Sequence, residues 1–439
     1  MEREVSAGAE AATAGAEVAK KRPTNGRRGT FHSLRVRNFR LFILGQLLST
    51  TGTWMQSVAA PFLVLQLTHS GVALGIDTGL QFLPILLFGA WGGVIADRFD
   101  NRRLQLASQV AFGLLAGTLW LLVVTDAVRI WMVYSLSFLQ GIVMAVDMPT
   151  RQSFYLEMVG RDDLTNAMSL NTATMTGTRI AGPAIAGLLI GAFGVAPVFL
   201  INALSYMAVV AALLVMRTVD LHRRQPVPRR PGQIREGVAY VWRTPGLRLP
   251  ILVMAAVFLF AFNFPVLLPL LAVRTFGGDA GTYGNMLALF GAGSLAGALV
   301  MAGRVSKPNV TMVAVLALVV GGLSVAVAAA PALPVTWLVL PLLGAAGISF
   351  AISGNSALQL TSSDQMRGRV MALYTVVFLG STPIGGPIAG WIGQHAGPRV
   401  GLAGGGAIAL AAGIVALGWL PGRREVAGST AVGSGTART

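Results

Sequence analysis

Twelve long apolar runs, each long enough to cross a lipid bilayer, dominate the amino-acid sequence. A spanning helix needs about 20 mostly apolar residues, at a rise of about 1.5 Å per residue. The chain is 54% hydrophobic and only 11% charged, whereas soluble domains are about 25% charged. The sequence therefore predicts an all-α integral membrane protein with twelve transmembrane helices. The runs cover residues 38–66, 72–96, 103–126, 130–150, 163–193, 196–216, 249–274, 281–303, 309–330, 334–359, 367–394 and 398–420.

The positive charges lie mainly in the connectors between these runs. The formal net charge is +16, a balance that by itself could indicate nucleic-acid binding. However, 28 of the 33 basic residues fall in segments on one side of the predicted membrane, and only Arg129, Arg274 and Arg399 fall on the other. Membrane proteins concentrate Lys and Arg in their cytoplasmic segments. We therefore expect a multi-pass protein of the cell membrane, with both termini cytoplasmic and no nucleic-acid partner.

One long basic connector divides the runs six and six, which predicts two halves. Its second part, Gln233 to Arg243, could form an interfacial amphipathic helix, because four apolar side chains would share one face toward lipid. These are Ile234, Val238, Val241 and Trp242. A solvated linker is equally compatible with the composition. The predicted organisation is a disordered cytoplasmic tail, a six-helix half, a cytoplasmic linker, a second six-helix half and a second disordered tail, at residues 1–37, 38–216, 217–248, 249–420 and 421–439.

An internal repeat relates the two halves. The fifth run contains TRIAGPAIAG, and a shift of 204 residues places its Gly182-Pro183 on Gly386-Pro387 of TPIGGPIAG in the eleventh run. Proline removes a backbone donor and can kink a helix, and small residues allow helices to approach closely. We expect these stretches to be hinges or packing surfaces, together with Gly177 and Gly187. Parallel six-helix repeats are typical of transporters, with the substrate site between the halves.

The connector after the second run, GGVIADRFDNRRL, carries an acid followed by several arginines. An acid at a helix end can pair with a basic residue or with the positive N-terminal end of another helix. We interpret the segment as a cytoplasmic latch that favours one conformation, although its arginines alone would also serve as a topology signal. The predicted latch comprises Gly93, Asp97, Arg98, Arg102 and Arg103, with Asp147 and Arg151 from the end of the fourth run.

This connector resembles the signature loop of the major facilitator superfamily, between its second and third helices. The pattern departs at Asp100 and Asn101, where the superfamily usually has a glycine and a basic residue. The stretch from Asp147 to Leu189 is similar to the enterobactin-exporter-like branch, with D-x-P-x-R-Q and R-x-x-G-P, and so is the stretch from Arg367 to Gly393. The resemblance covers about residues 38–420. It implies a twelve-helix transporter, and the Gly-Pro stretch implies export by antiport.

Charges inside a membrane are rare and are functional candidates by default. Asp77 lies near the outer end of the second run and is the candidate proton-titrating carboxylate, with a water-facing rim position as the alternative. Arg179 lies near the middle of the fifth run and is the second candidate for proton coupling. It could pair with Asp77 or Asp147, which we favour slightly, or it could meet an anionic substrate in a central cavity.

Polar and aromatic residues in the runs supply further candidates for the cavity wall. Phe262 and Phe264 would add aromatic surface. The cavity candidates are Gln46, Trp54, Gln56, Asn171, Asn263, Asn355 and Gln359.

The expected function is the proton-coupled export of small amphiphilic molecules, such as a drug, a siderophore or a secondary metabolite, by alternating access. The chain has no cysteine and its four histidines are scattered, so we expect neither an enzyme nor a metal or cofactor site. We also expect a monomer. Two alternatives stay open: a nutrient-uptake symporter, against which the Gly-Pro stretch argues, and a transport-inactive sensor or scaffold, which would bind a ligand without flux.

Overall fold

The computed structural model describes residues 31–222, 233–303, 308–363 and 365–419, and every regular element in these ranges is helical. The predicted disordered tails lie almost wholly outside this part of the chain. The helices are α1 Arg37–Thr68, α2 Gly71–Arg98, α3 Asn101–Val124, α4 Ile130–Phe193, α5 Ala196–Val215, α6 Gln233–Arg243, α7 Pro245–Phe260, α8 Phe264–Leu270, α9 Ala280–Gly303, α10 Val310–Ala329, α11 Leu333–Thr361, α12 Arg367–Gly380, α13 Thr382–His395 and α14 Pro398–Gly418.

Ten helical segments of the described chain are long and apolar enough to cross a membrane. One of them, α4, has 64 residues, about three times the length that a crossing needs. The backbone of α4 is interrupted at Gly160, where φ is 72°. This left-handed conformation favours glycine, and it separates a first arm of α4 from a second. The connector predicted at residues 151–162 is therefore mostly helical. The all-α prediction is confirmed, whereas the count of twelve spans stays a prediction.

Two of the predicted runs, by contrast, are each divided between two helices. The seventh run is divided between α7 and α8 at Ala261–Asn263, where the Asn263 side-chain amide donates to the Leu259 carbonyl at 2.8 Å. The eleventh run is divided between α12 and α13 at Ser381. A proline stands in the first turn of both α8 and α13. Proline fits this position because its missing N–H has no intrahelical partner there.

Helices that precede the basic connector pack mainly on one another, and so do those that follow it. In the first group, α1 packs on α4 and α5, α2 on α4, and α3 on α5. In the second group, α9 packs on α11, and α10 on α14. The extensive contacts between the groups are α2 with α13 and α4 with α9. These contacts support two halves, and the exact boundaries of the halves stay a prediction.

The contacts between the groups depend on glycine. A Cβ on Gly75 of α2 would lie 2.5 Å from the carbonyl oxygen of Gly386 on α13. A Cβ on Gly284 of α9 would lie 2.6 Å from the carbonyl oxygen of Pro183 on α4. Neither position has room for a side chain without moving backbone. The small residues of the repeated Gly-Pro stretches therefore allow the halves to approach closely.

Candidate functional site

Arg179 lies where the two groups of helices meet. It is 14 residues before the end of α4 at Phe193, which at about 1.5 Å per residue places it about 21 Å from that end and near the middle of the span. Its guanidinium carbon is 5.2 Å from the centroid of the Trp54 ring on α1, and 5.7 Å from that of Phe290 on α9. One cation therefore contacts an aromatic ring from each group of helices.

Arg179 forms no ion pair or hydrogen bond with the part of the chain that the structure describes, and its Nε atom is buried without a partner. The expected pairing with Asp77 or Asp147 is therefore wrong. The acids that could have neutralised the guanidinium have other partners, described below. What remains for the guanidinium is cation–π attraction, which contributes about 0.5 to 2 kcal/mol per contact.

Phe290 connects Arg179 to an aromatic cluster in the second group of helices. The ring centroids of Phe264 and Phe290 are 5.0 Å apart, and those of Phe258 and Phe262 are also 5.0 Å apart. The expected aromatic surface at Phe262 and Phe264 is therefore part of a larger assembly. The cluster consists of Phe258, Phe262, Phe264, Phe290, Phe350, Phe378 and Tyr374. Phe290 is one of two aromatic residues, with Tyr283, in the small-residue sequence of α9, and this was the signal that could have identified it.

Asp77 is buried on α2, with 7% of its surface exposed. Its Oδ1 atom accepts a hydrogen bond of 2.7 Å from the Ser137 hydroxyl on α4. A rim aspartate that faces water is thereby excluded. No cation pairs with Asp77 in the described ranges. The sequence analysis did not include Ser137, because a lone serine in an apolar run carries no signal of its own.

Asp147 is fully buried within the first group of helices and forms an ion pair with Arg151, one turn later on α4. The side-chain amides of Gln105 and Gln109 on α3 each donate to Asp147 Oδ1 at 3.1 Å. Of the arginines in the predicted latch, the structure therefore brings Arg151 to Asp147. Arg151 Nη1 in turn donates to Gln46 Oε1 at 3.4 Å. This network joins α1, α3 and α4.

The predicted latch segment makes capping contacts that the sequence did not anticipate. Asp100 stands where the superfamily usually has glycine, and its carboxylate caps α3 by accepting from the Arg103 backbone N–H at 2.9 Å. Arg102 Nε donates to the Leu213 carbonyl at 2.8 Å, which ties α3 to α5. The rest of the segment lies in the last turns of α2 and the first turn of α3: Gly93 is buried, Asp97 is half-buried, and Arg98 and Arg103 are exposed.

The repeated Gly-Pro stretches differ in their partners. A Cβ on Gly182 would lie 2.5 Å from Trp54 Cβ, and one on Gly187 would lie 3.0 Å from Gly281 Cα. By contrast, a Cβ on Gly177 would meet nothing within 4 Å, so the expected packing role of Gly177 is wrong. Pro183 lies inside continuous helix. In the second copy, Gly386 and Pro387 face Gly75 and Gly79.

Several predicted cavity residues are engaged in helix packing. Gln46 is buried in the network of Arg151, and Gln56 accepts from the Asn202 side chain at 2.5 Å. Asn263 is buried at the α7–α8 break, and Asn171 accepts from the Tyr155 hydroxyl at 2.6 Å. These four side chains are held by hydrogen bonds, and their place in a cavity wall stays a prediction. Trp54 contacts Arg179, and Gln359 donates to Asn355 at 2.5 Å on α11.

A hydrogen-bonded clamp joins the two groups of helices at one end of the molecule. Arg274 follows α8, and its Nη2 atom donates to the His69 carbonyl at 2.6 Å and to Gln394 Oε1 at 2.7 Å. The same Gln394 oxygen accepts from the backbone N–H of Gly71 at 2.7 Å. We call Arg274, Gln394, His69 and Gly71 the Arg274 clamp. It lies at the same end as the contacts of Gly187 with Gly281.

The predicted interfacial segment forms helix α6 with the expected bounds. Glu236 pairs with Arg369 of α12 at 2.5 Å, and the Tyr240 hydroxyl accepts from the Ser363 backbone N–H at 3.3 Å. Val241 is buried in the core, whereas Trp242 is exposed. The apolar face therefore does not turn to lipid as a whole, because Val241 packs on protein.

A helical membrane protein whose two groups of helices meet through close glycine contacts around an intramembrane cation has the architecture of a secondary transporter. The family model of transmembrane secretion effectors matches residues 28–426. The chain belongs to this family of major facilitator transporters, which are not enzymes, and it is a multi-pass membrane transporter. The family resemblance of the sequence is thereby confirmed.

Two relatives and one solved structure illustrate the similarity. The staphyloferrin A transporter of Staphylococcus aureus is 25% identical over 265 residues, which cover 59% of this chain and 66% of that protein, or just under two thirds. The multidrug efflux pump Tap of Mycolicibacterium fortuitum is 27% identical over 372 residues, covering 81% and 90%. The nucleoside transporter NupG shares the fold, with a TM-score of 0.73, 11% identity and coverage of 87% and 98%.

Proposed function

We propose that this transporter exports small amphiphilic molecules by alternating access, coupled to the entry of protons. The observation that carries the proposal is the arrangement of the two groups of helices around Arg179. They are joined at one end by the Arg274 clamp and by glycine contacts, while Thr172, which shares the helix face of Arg179 two turns away, is exposed. A conformation that is closed at one end and open near the centre corresponds to one state of an alternating-access cycle.

The direction of transport is inferred from the relatives. They include pumps for several drugs, a macrolide efflux protein and a siderophore transporter. The printed names of these relatives give several classes of exported molecule, and the aromatic cluster of this chain offers apolar surface to an amphiphilic one. The basic connectors support cytoplasmic termini, which would place the Arg274 clamp on the outer side and the open side toward the cytoplasm, from which an exporter takes its substrate.

Proton coupling is assigned to Asp77. This carboxylate is buried in the membrane span, and its polar partner in the described chain is the Ser137 hydroxyl rather than a cation. Acids in such positions commonly belong to proton pathways in transporters. Asp147 is less suitable, because its charge is already matched by Arg151. Arg179 keeps its positive charge free for the substrate.

Purified protein in proteoliposomes tests the proposal. Liposomes are loaded with ethidium, 2-naphthoate or 2-naphthamide, which are cationic, anionic and uncharged aromatic probes, and the outside is then acidified. We expect at least one probe to leave faster than from protein-free liposomes, and more slowly when a protonophore removes the gradient. Release equal to that of protein-free liposomes for all three probes would argue against export, and release unaffected by the protonophore would argue against proton coupling.

A further inference from the structure

The half-buried cation at Arg179 has no counter-charge in the part of the chain that the structure describes, and this defines the chemistry that it can bind. An ionised side chain in the interior of a membrane is costly unless it is paired. Asp77 is hydrogen-bonded to Ser137, and Asp147 is paired with Arg151. The guanidinium has five N–H donors in a planar fork that matches a carboxylate. The partner that would neutralise the Arg179 guanidinium is therefore an anion that is not part of the protein.

The two rings beside Arg179 define the other part of the ligand. Trp54 is half-buried, and Phe290 is buried and continuous with the aromatic cluster through Phe264. The guanidinium carbon lies over both rings, at 5.2 and 5.7 Å from their centroids, and no hydrogen bond from the described chain occupies the N–H groups that an anionic group would need. An apolar or aromatic body bound beside the same anionic group would contact these rings.

The helix face that carries Arg179 gives access to the site. Thr172 and Thr176 lie two turns and one turn before Arg179 on α4, since residues three, four and seven apart share a helix face. Thr172 is exposed and Thr176 is half-buried. On the other side of Arg179, Gly182 and Pro183 are buried against α1 and α9. The burial of this face thus increases toward the Arg274 clamp, so that Arg179 lies where the open part of the face ends.

We propose that Arg179, Trp54 and Phe290 form a binding site for the anionic group of an amphiphilic substrate, and that the transporter therefore prefers aromatic or apolar molecules that carry a carboxylate. The inference rests on the proposed export function and narrows its substrate class. Arg179 supplies the charge-assisted hydrogen bonds, while Trp54 and Phe290 contact the apolar body. Since the rings come from different groups of helices, the bound substrate touches both.

Equilibrium binding to the full-length protein in lipid nanodiscs tests this site independently of transport. The probes are 2-naphthoate and its uncharged isostere 2-naphthamide, measured by isothermal titration. We expect the wild type to prefer 2-naphthoate by tenfold or more, and Arg179→Gln to remove this preference while 2-naphthamide binds as before. Arg179→Lys should retain part of the preference, because the charge stays but the planar fork is lost. Phe290→Leu should weaken the binding of both probes.

The matched control is Arg129→Gln, which removes an exposed arginine at the start of α4 and should leave the preference unchanged. Equal binding of the two probes by the wild type, or an unchanged preference in Arg179→Gln, overturns the inference. If the Arg179 variants fail to fold, the comparison of 2-naphthoate with 2-naphthamide binding to the wild type still tests the inference. If 2-naphthoate binds as predicted but no probe is moved in proteoliposomes, the export proposal fails while the anion site stands.

Discussion

Arg179 of α4 and Phe290 of α9 are in contact across the two groups of helices, with 5.7 Å between the guanidinium carbon and the ring centroid. The contact is paired with a second one, to Trp54, within the first group. A motion that separates α4 from α9 at this level would break the first contact and keep the second. The cation would then stay with the first group, and its exposure would follow the conformation of the transporter.

Substitution of Arg274 by glutamine should open the clamped end. The change removes the hydrogen bonds to the His69 carbonyl and to Gln394 that join the two groups of helices. The natural chain has no cysteine, so Ala280→Cys provides a single thiol at a buried position of α9 near this end. We expect a membrane-impermeant maleimide to label this thiol several-fold faster in the Arg274→Gln background.

The control for that experiment is Arg399→Gln. Arg399 lies near the same end, and its Nη2 atom donates to the Ala330 carbonyl at 2.7 Å, a contact within the second group of helices. Labelling of the Ala280→Cys thiol should stay at its original rate in this background. Equal labelling rates in the Arg274 and Arg399 variants would show that the Arg274 clamp does not hold the end closed.

Replacement of Gly75 by alanine should destabilise the protein by about 1–3 kcal/mol, the usual cost of inserting a group into a packed interior. The new Cβ would lie 2.5 Å from the Gly386 carbonyl oxygen and 3.0 Å from Pro387 Cα, both of them backbone atoms. Thermal unfolding in detergent measures the effect. Gly191→Ala is the matched control, because a Cβ there meets nothing within 4 Å; if both variants melt alike, close packing of α2 on α13 is not the cause.

Asp147→Asn should destabilise the protein by about 3–5 kcal/mol, since it leaves the buried guanidinium of Arg151 without its carboxylate. The double variant Asp147→Asn, Arg151→Gln removes both charges and should recover part of the loss. Thermal unfolding of the wild type and the two variants in the same detergent measures the difference. A double variant less stable than the single one would mean that Arg151 has another essential partner.

Asp77→Asn should abolish proton-driven export. It should not change the exchange of substrate across the proteoliposome membrane when no pH gradient is present. The amide keeps the size of the side chain and can still bond to Ser137, but it carries no titrating proton. Asp100→Asn is the control, because asparagine also caps helices well and Asp100 caps α3. Undiminished pH-driven export in Asp77→Asn would remove Asp77 from the coupling mechanism.

The helical membrane architecture could be predicted from the sequence because hydropathy and length leave few alternatives for a chain in lipid. The family followed from motifs such as the Gly-Pro repeat. The breaks at Ala261–Asn263 and Ser381 were missed although prolines stand next to both, because proline also occurs within continuous membrane helices, as Pro183 does here. Gly160 interrupts α4 within residues 151–162, where the sequence separates the fourth and fifth runs, but the helical conformation of the rest of that connector was not predicted.

The candidate site was predictable in its charges but not in their partners. Arg179, Asp77 and Asp147 were identifiable as intramembrane ionisable residues, yet the sequence does not reveal which way each helix faces. Gln105 and Gln109 of α3 donate hydrogen bonds to the Asp147 carboxylate, and Ser137 of α4 donates one to the Asp77 carboxylate. These partners come from other helices, so their approach depends on rotation and register. The contact of Phe290 with Arg179 was hidden for the same reason.

The Arg274 clamp is built without an acidic residue. Its acceptors are the backbone carbonyls of His69 and Gln394 and the side-chain oxygen of Gln394, and none of them gains or loses a proton in the physiological range. Bonds between a guanidinium and neutral acceptors also depend less on ionic strength than an exposed ion pair does. We therefore expect the Arg274 clamp to stay closed when the medium outside the cell is acidic or high in salt. The response of the transporter to acidity would then depend on a residue outside the clamp.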